Sequence, residues 1–160
     1  MNLIQDMQEF LLSIEAVAAP ILLHLPGKSV TDQEVLQRVV FDSGGQDLTE
    51  GPYIVFSGPF AYDTGLFSGG ACGTKKARFN LSVYRDYPDE AYGWATDIEQ
   101  ALIDLFPNNG FFYTGTSGTR FMSWLQVPGT LLRLPQDQAS MTAKENPRSG
   151  YTQTFQVGWQ

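Results

Sequence analysis

The chain has 160 residues, 42% hydrophobic and 13% aromatic, and its 10 Lys+Arg against 17 Asp+Glu leave a net charge of -7. That length suits one domain burying about two-thirds of its unfolded surface, while the acidic balance is a poor match for nucleic-acid phosphates. A single cysteine, Cys72, and a single histidine, His24, exclude a disulfide framework and a Cys/His zinc site within one chain.

Residues 2–19 space Leu3, Met7, Phe10 or Leu11, Ile14 and Val17 as one helical stripe, with Gln5, Asp6, Glu9 and Glu15 on the wet face. Acids stand where a signal peptide needs bases, and no apolar run approaches about 18 residues, so a soluble cytosolic chain without targeting segment or membrane contact is expected. Pro20 should end the helix. Ile21 to Leu25 reads as a strand or a helix extension before the Pro26-Gly27 turn. Thr31 to Glu34 has capping-box spacing, predicting a short helix over 32–40 with Val35, Leu36 and Val39 or Val40 inward. Residues 41–52 carry loop chemistry.

Tyr53 to Phe56 reads as a strand between Gly-Pro breaks. Residues 58–75 mix five glycines with Phe60, Tyr62 and Phe67, which fits a long flexible hairpin arm whose aromatics no core requires. The clearest strand and helix follow. Phe79, Leu81 and Val83 alternate with Arg78, Asn80, Ser82 and Tyr84. After an acidic turn, a helix should start near Pro88 and turn Trp94, Ile98, Leu102 and Leu105 toward that strand face. Gly93 costs this helix roughly 1 kcal/mol relative to alanine, so packing has to hold it. Pro107 to Gly110 is a turn, Phe111 to Thr114 and Phe121 to Val127 read as strands, and Leu131 to Leu134 as another. Residues 135–150 form a polar loop. In the last strand Tyr151, Gln153, Phe155, Val157 and Trp159 share one face. The expectation is a single α+β domain over 1–160, a mostly antiparallel sheet of four to five strands with helices packed on one face and the arm at 58–75.

Chemistry is harder to find. The glycine-rich run at 65–76 never satisfies G-x-x-x-x-G-K-[ST] and lacks the strand-loop-helix setting of a phosphate loop. Cys72 has no histidine base near it in sequence, and His24 in its apolar run reads as a partly buried structural residue. Asp86, Asp89 and Glu90 have the composition of a cation or acid/base cluster, but helix N-termini gather acids for capping. Asp42, Asp47 and Glu50 lack calcium-loop spacing. Neither catalysis nor a cofactor or metal is expected. Loop aromatics are favoured anchors at interfaces, so Phe60, Tyr62 and Phe67, with the basic Lys75 and Lys76, are the candidate partner-binding residues; Phe112 and Tyr113 fit a core equally well.

The layout resembles the tail terminator (tail-completion) proteins of long-tailed bacteriophages. The matching parts are the N-terminal amphipathic helix, GPYIVFSG, RFNLSVYRDYPDEAYGWATDIEQALIDLF, and the closing YTQTFQVGWQ. The resemblance implies a structural virion protein that forms a ring, expected to be a hexamer, on the completed tail tube, stops its growth and meets the neck proteins of the head. Its partners would be itself, the tail tube protein and a head-completion protein, and its place the tail-neck junction, after assembly in the host cytoplasm. A neck (head-tail joining) protein or a tail-tube-like subunit is the alternative, and a small-molecule-binding domain or enzyme the reading from a different class.

Overall fold

The computed structural model describes residues 2–41, 51–63, 75–106, 113–134 and 149–160, apart from the side chains of 60–63. Helix α1 (Leu3–Ser13) begins at Asn2, whose side chain accepts from the Gln5 amide. The one helix expected over 2–19 is two. The chain turns extended at Ile14, and α2 (Glu15–His24) leaves at 81° to α1. Ser13 Oγ donating to the Phe10 carbonyl at 2.6 Å, and the Ile14 N–H bonding the Leu11 carbonyl, close the first helix.

Pro20, expected to terminate the helix, lies inside α2. A proline has no N–H, so the Ala16 carbonyl one turn earlier loses its helical donor. The indole N–H of Trp94 donates to that oxygen at 2.9 Å. A partner 78 residues away in sequence therefore satisfies the group that the proline orphaned. Ile21 to His24 extend the helix, and the turn at Pro26-Gly27 follows as expected, with Gly27 at φ +80°.

Helix α3 (Gln33–Leu36) is shorter than the expected 32–40, and Asp32, not Thr31, is its N-cap residue. Val39 is pulled into a strand instead, β1 (Val39–Phe41), which pairs in parallel with β2 (Tyr53–Asp63) in the register Val39↔Ile54 and Phe41↔Phe56. β2 pairs antiparallel with β3 (Lys75–Arg85), and α4 (Pro88–Leu105) starts at the expected proline. β4 (Tyr113–Thr114), β5 (Arg120–Gln126), β6 (Leu132–Arg133) and β7 (Ser149–Trp159) complete a seven-stranded sheet of order β1-β2-β3-β7-β5-β4, with β6 also on β7. The fold is mixed α/β. The sheet is mostly antiparallel, as expected, but it is mixed, with one parallel pair, β1/β2, at an edge, and the expected four to five strands are corrected to seven among the described residues.

β5 and β6 are two parts of one interrupted strand along β7. The chain leaves the ladder around Pro128-Gly129, where Gly129 takes φ +78°. Thr130 repairs the gap: its hydroxyl donates to the Val127 carbonyl at 2.6 Å and accepts the Thr154 N–H at 3.0 Å. β7 is thereby paired along both edges.

Ala77, Phe79, Leu81 and Val83 of β3 are buried on the same face as Gln153, Phe155, Val157 and Trp159 of β7. Against that face α4 buries Ala91, Trp94, Ala95, Ile98 and Leu102, the stripe read from the sequence except for Leu105, which is only half-buried in the last turn. Gln153, only 1% exposed, ties the layers: it donates to the Ala95 carbonyl at 3.1 Å and accepts from Gln126 at 2.9 Å. Phe10 of α1 packs its ring 4.9 Å from Trp124 and 5.5 Å from Phe121. The opposite face carries Ser82 bonded to Thr152 and Asn80 bonded to Thr154, with the Tyr53 and Tyr84 rings stacked at 4.6 Å. Gly150 sits under Tyr84, and a Cβ there would come within 2.8 Å of its ring.

Candidate functional site

The most elaborate polar arrangement among the described residues is on α1. Asp6 and Glu9 lie one turn apart, the spacing that puts two side chains on one helix face. Both reach the hairpin turn between β4 and β5. Asp6 accepts the Ser117 N–H at 3.0 Å, the Thr119 N–H at 2.9 Å and the Ser117 hydroxyl. Glu9 accepts the Thr116 N–H at 3.0 Å and its hydroxyl at 2.6 Å. Gly115 is required here, because a Cβ would run into the Asp6 carboxylate. Burial pushes the Asp6 carboxyl up, but hydrogen bonds from Ser117 and Thr119 outweigh it and hold it below the ordinary carboxylate range. Hydrogen bonds from Thr116 lower Glu9 in the same way. Tyr113, beside them, is raised by burial and by the two negative charges.

This arrangement is an anchor: the turn's own donors occupy both carboxylates. The sequence reading placed Asp6 and Glu9 on a wet face, and for Asp6 that is overturned, since it is 0% exposed. Its signal was present but local inspection could not use it. The donors in the GTSGT turn lie 111 to 113 residues further on.

The other candidates separate. Phe60 and Tyr62 have their backbone in β2, with side chains outside the described residues, and Phe67 and Cys72 lie outside them altogether. Phe112, Asp42, Asp47 and Glu50 also fall outside. Lys75 and Lys76 are exposed at the start of β3, opposite Trp159 and Gly158 respectively. Strand alternation sends them to opposite faces, so the structure does not bring the two ammonium groups together. Tyr113 takes the core reading, with its ring 5.2 Å from Phe10.

His24, expected to be partly buried, is exposed and lies against the backbone of Gly51. The helix continues through Pro20 and carries it past the core. Asp86, Asp89 and Glu90 are exposed, and Glu90 pairs with Arg85 at 3.4 Å while the Arg85 guanidinium stands 5.7 Å from the Trp94 ring centroid. Among the described residues no group of three His, Cys, Asp or Glu is placed to hold a metal ion.

Grooves among the described residues include two beside the helices. One of about 370 Å³ lies between α1, α3 and β1, lined by Ile4, Gln8, Gln37, Val40 and Phe41 among others; one of about 310 Å³ lies between α2 and α4 around Ala19, Arg85 and Asp97. In the first, Gln8 donates to the Leu36 and Val39 carbonyls at 2.6 and 2.9 Å, which closes off the β1 edge at that point. Neither groove is lined by a nucleophile with a base beside it. No single helix among the described residues is long and apolar enough to cross a membrane, and α1 and α2 meet that test only together, across their bend. The sequence matches no protein-family model and no curated protein.

Proposed function

We propose that this protein is a structural subunit of the tail terminator type, which closes a completed phage tail tube as a ring, stops its growth and forms the joint with the head. The observation that carries the reading is the β2/β3 ribbon. β3 is paired with β7 from Arg85 down to its first residue, Lys75, so β2 and β3 reach the rim of the sheet together, at Asp63 and at the exposed Lys75 and Lys76. The expected arm at 58–75 is thus strand at 58–63 and at Lys75, and in this reading the residues between them extend the β2/β3 ribbon toward a neighbouring subunit or the tube, with Phe60, Tyr62, Phe67, Lys75 and Lys76 supplying the contacts. A sheet backed by helices on one side keeps a second face available for assembly, and no cofactor or catalytic step is required. The partners are further copies of the chain, the tube protein and a head-completion protein, in the virion.

Electron microscopy of particles assembled without the gene tests the proposal. Overlong tails without heads are the expected result. Tails of normal length beside filled, unattached heads would reassign the protein to the neck, absence of tails would make it a tube or initiation component, and normal infectious particles would overturn the structural reading.

A further inference from the structure

Charge is sorted by layer. Within the helices and strands of the described residues, every Lys and Arg stands on a strand, and every Asp and Glu except Asp63 stands on a helix. Register concentrates three of the bases at one corner of the face that the helices leave open, where Asp63, the β2 partner of Lys76, is the one strand position of opposite sign. Lys76 lies opposite Gly158, Arg78 opposite Gln156, and Arg120 beside Gln160 through paired backbone hydrogen bonds of 3.1 and 2.9 Å. All three are exposed. Leu125, across Gln156 from Arg78, stands 53% exposed among them.

The outer face of α4 is the complement. Asp97 and Asp104 are exposed two turns apart, and Ile103 is 50% exposed next to them; the helix carries neither Lys nor Arg. Because α4 buries its other face on the sheet, its acidic side and the basic corner point in opposite directions and cannot meet within one protomer.

We infer that the basic corner around Lys76, Arg78, Arg120 and Leu125 receives the acidic outer face of α4 from a second copy of this chain. The inference rests on the ring reading above and assigns its subunit interface. Contact between two unlike patches on opposite sides of a subunit is heterologous, so it repeats from copy to copy until the rotation closes a ring. The charges steer encounter and fix register, and Leu125 with Ile103 supplies an apolar centre that excludes water. A polyanion would use the corner alone. A second copy uses both surfaces, which accounts for the absence of bases from α4 as well as their presence on the sheet.

Sedimentation velocity of the full chain tests this at ionic strengths below and above about 0.15 M, where the screening length is about 8 Å. The variants are Lys76→Glu with Arg78→Glu, Asp97→Lys with Asp104→Lys, and all four together; all positions are exposed, and melting followed by circular dichroism verifies that each variant folds. The wild type is expected to associate and to weaken with salt, each double variant to weaken association by at least about tenfold, and the fourfold variant to recover it by exchanging the charges. Association unchanged by both double variants would place the interface elsewhere and leave the ring reading standing. A wild type monomeric at every salt and concentration would overturn both. Binding of a fluorescent single-stranded oligonucleotide, lost in the corner variant while association persists, would assign the corner to a polyanion and overturn the inference.

Discussion

Asp6 shows how one side chain can fix a hairpin. Its carboxylate accepts two backbone N–H groups and a hydroxyl from the β4/β5 turn, and removing it leaves both N–H groups, one buried and one half-buried, without that acceptor, while the hydroxyl keeps only the Asn2 carbonyl at 3.2 Å. Hydrogen bonds to a charged group are worth about 1.5 to 3 kcal/mol each in net stability, so Asp6→Ala should cost about 3 kcal/mol in denaturant titration. The lowered Asp6 and Glu9 carboxyls also give stability a pH dependence of definite sign. The native state holds fewer protons than the unfolded chain below the unfolded value of about 4, so this contribution is complete above that value and is lost as pH falls through the folded values. Asp6→Asn should lower stability at pH 7 and flatten its decline between about pH 5 and pH 2; an unaltered decline would mean that other carboxylates dominate.

At the scale of an element, α2 is a helix with a proline inside it that its own sequence does not support. The Trp94 indole takes over the missing N–H, so the two residues should be energetically coupled across the α2/α4 contact. Trp94→Phe should cost about 1 to 3 kcal/mol by leaving the Ala16 carbonyl without its donor. In a Pro20→Ala background the restored backbone N–H can bond that carbonyl, and the same substitution should cost less. A double-mutant cycle reads the difference, and additivity would show that the indole bond is incidental. The interrupted β5/β6 strand offers a parallel case. Thr130→Val keeps the shape but removes the hydroxyl that bridges Val127 and Thr154, and should cost about 1 to 2 kcal/mol in equilibrium unfolding.

For the whole molecule, the three tryptophans report on one continuous core. Trp94 sits between α4 and α2, Trp124 under Phe10, and Trp159 at the end of β7 with Phe79; each is no more than 3% exposed. Thermal unfolding followed by tryptophan fluorescence and by far-ultraviolet circular dichroism should therefore coincide in a single transition. Separated transitions would show that the α1/β4/β5 side, held by Asp6 and the Phe10 aromatic cluster, opens independently of the α4/β3/β7 side. The layered charge distribution belongs to this scale too. It offers two opposed surfaces of opposite sign, which no single element displays.

Local period in the sequence was enough for the elements that depend on it. Alternation in β3 and β7, the Trp94 to Leu102 stripe of α4 and the proline start at Pro88 each follow from which face of a strand or helix must leave water, a choice made within a dozen residues. The partnership of the α4 stripe with the β3 face was legible as well, since two apolar faces joined by one short turn had to meet. The rest depends on contacts between distant segments. Asp6 reads as a surface acid until the turn 111 residues later supplies its donors, and Pro20 reads as a terminator until Trp94 supplies its own. Val39 to Phe41 became a strand because β2 offered a parallel edge in register with it, against a helical reading that ran through Val39 and Val40. In each case the deciding free energy is a hydrogen bond or a ladder between segments far apart in the chain. Local propensity, worth less than about 1 kcal/mol per residue outside proline, yields to it.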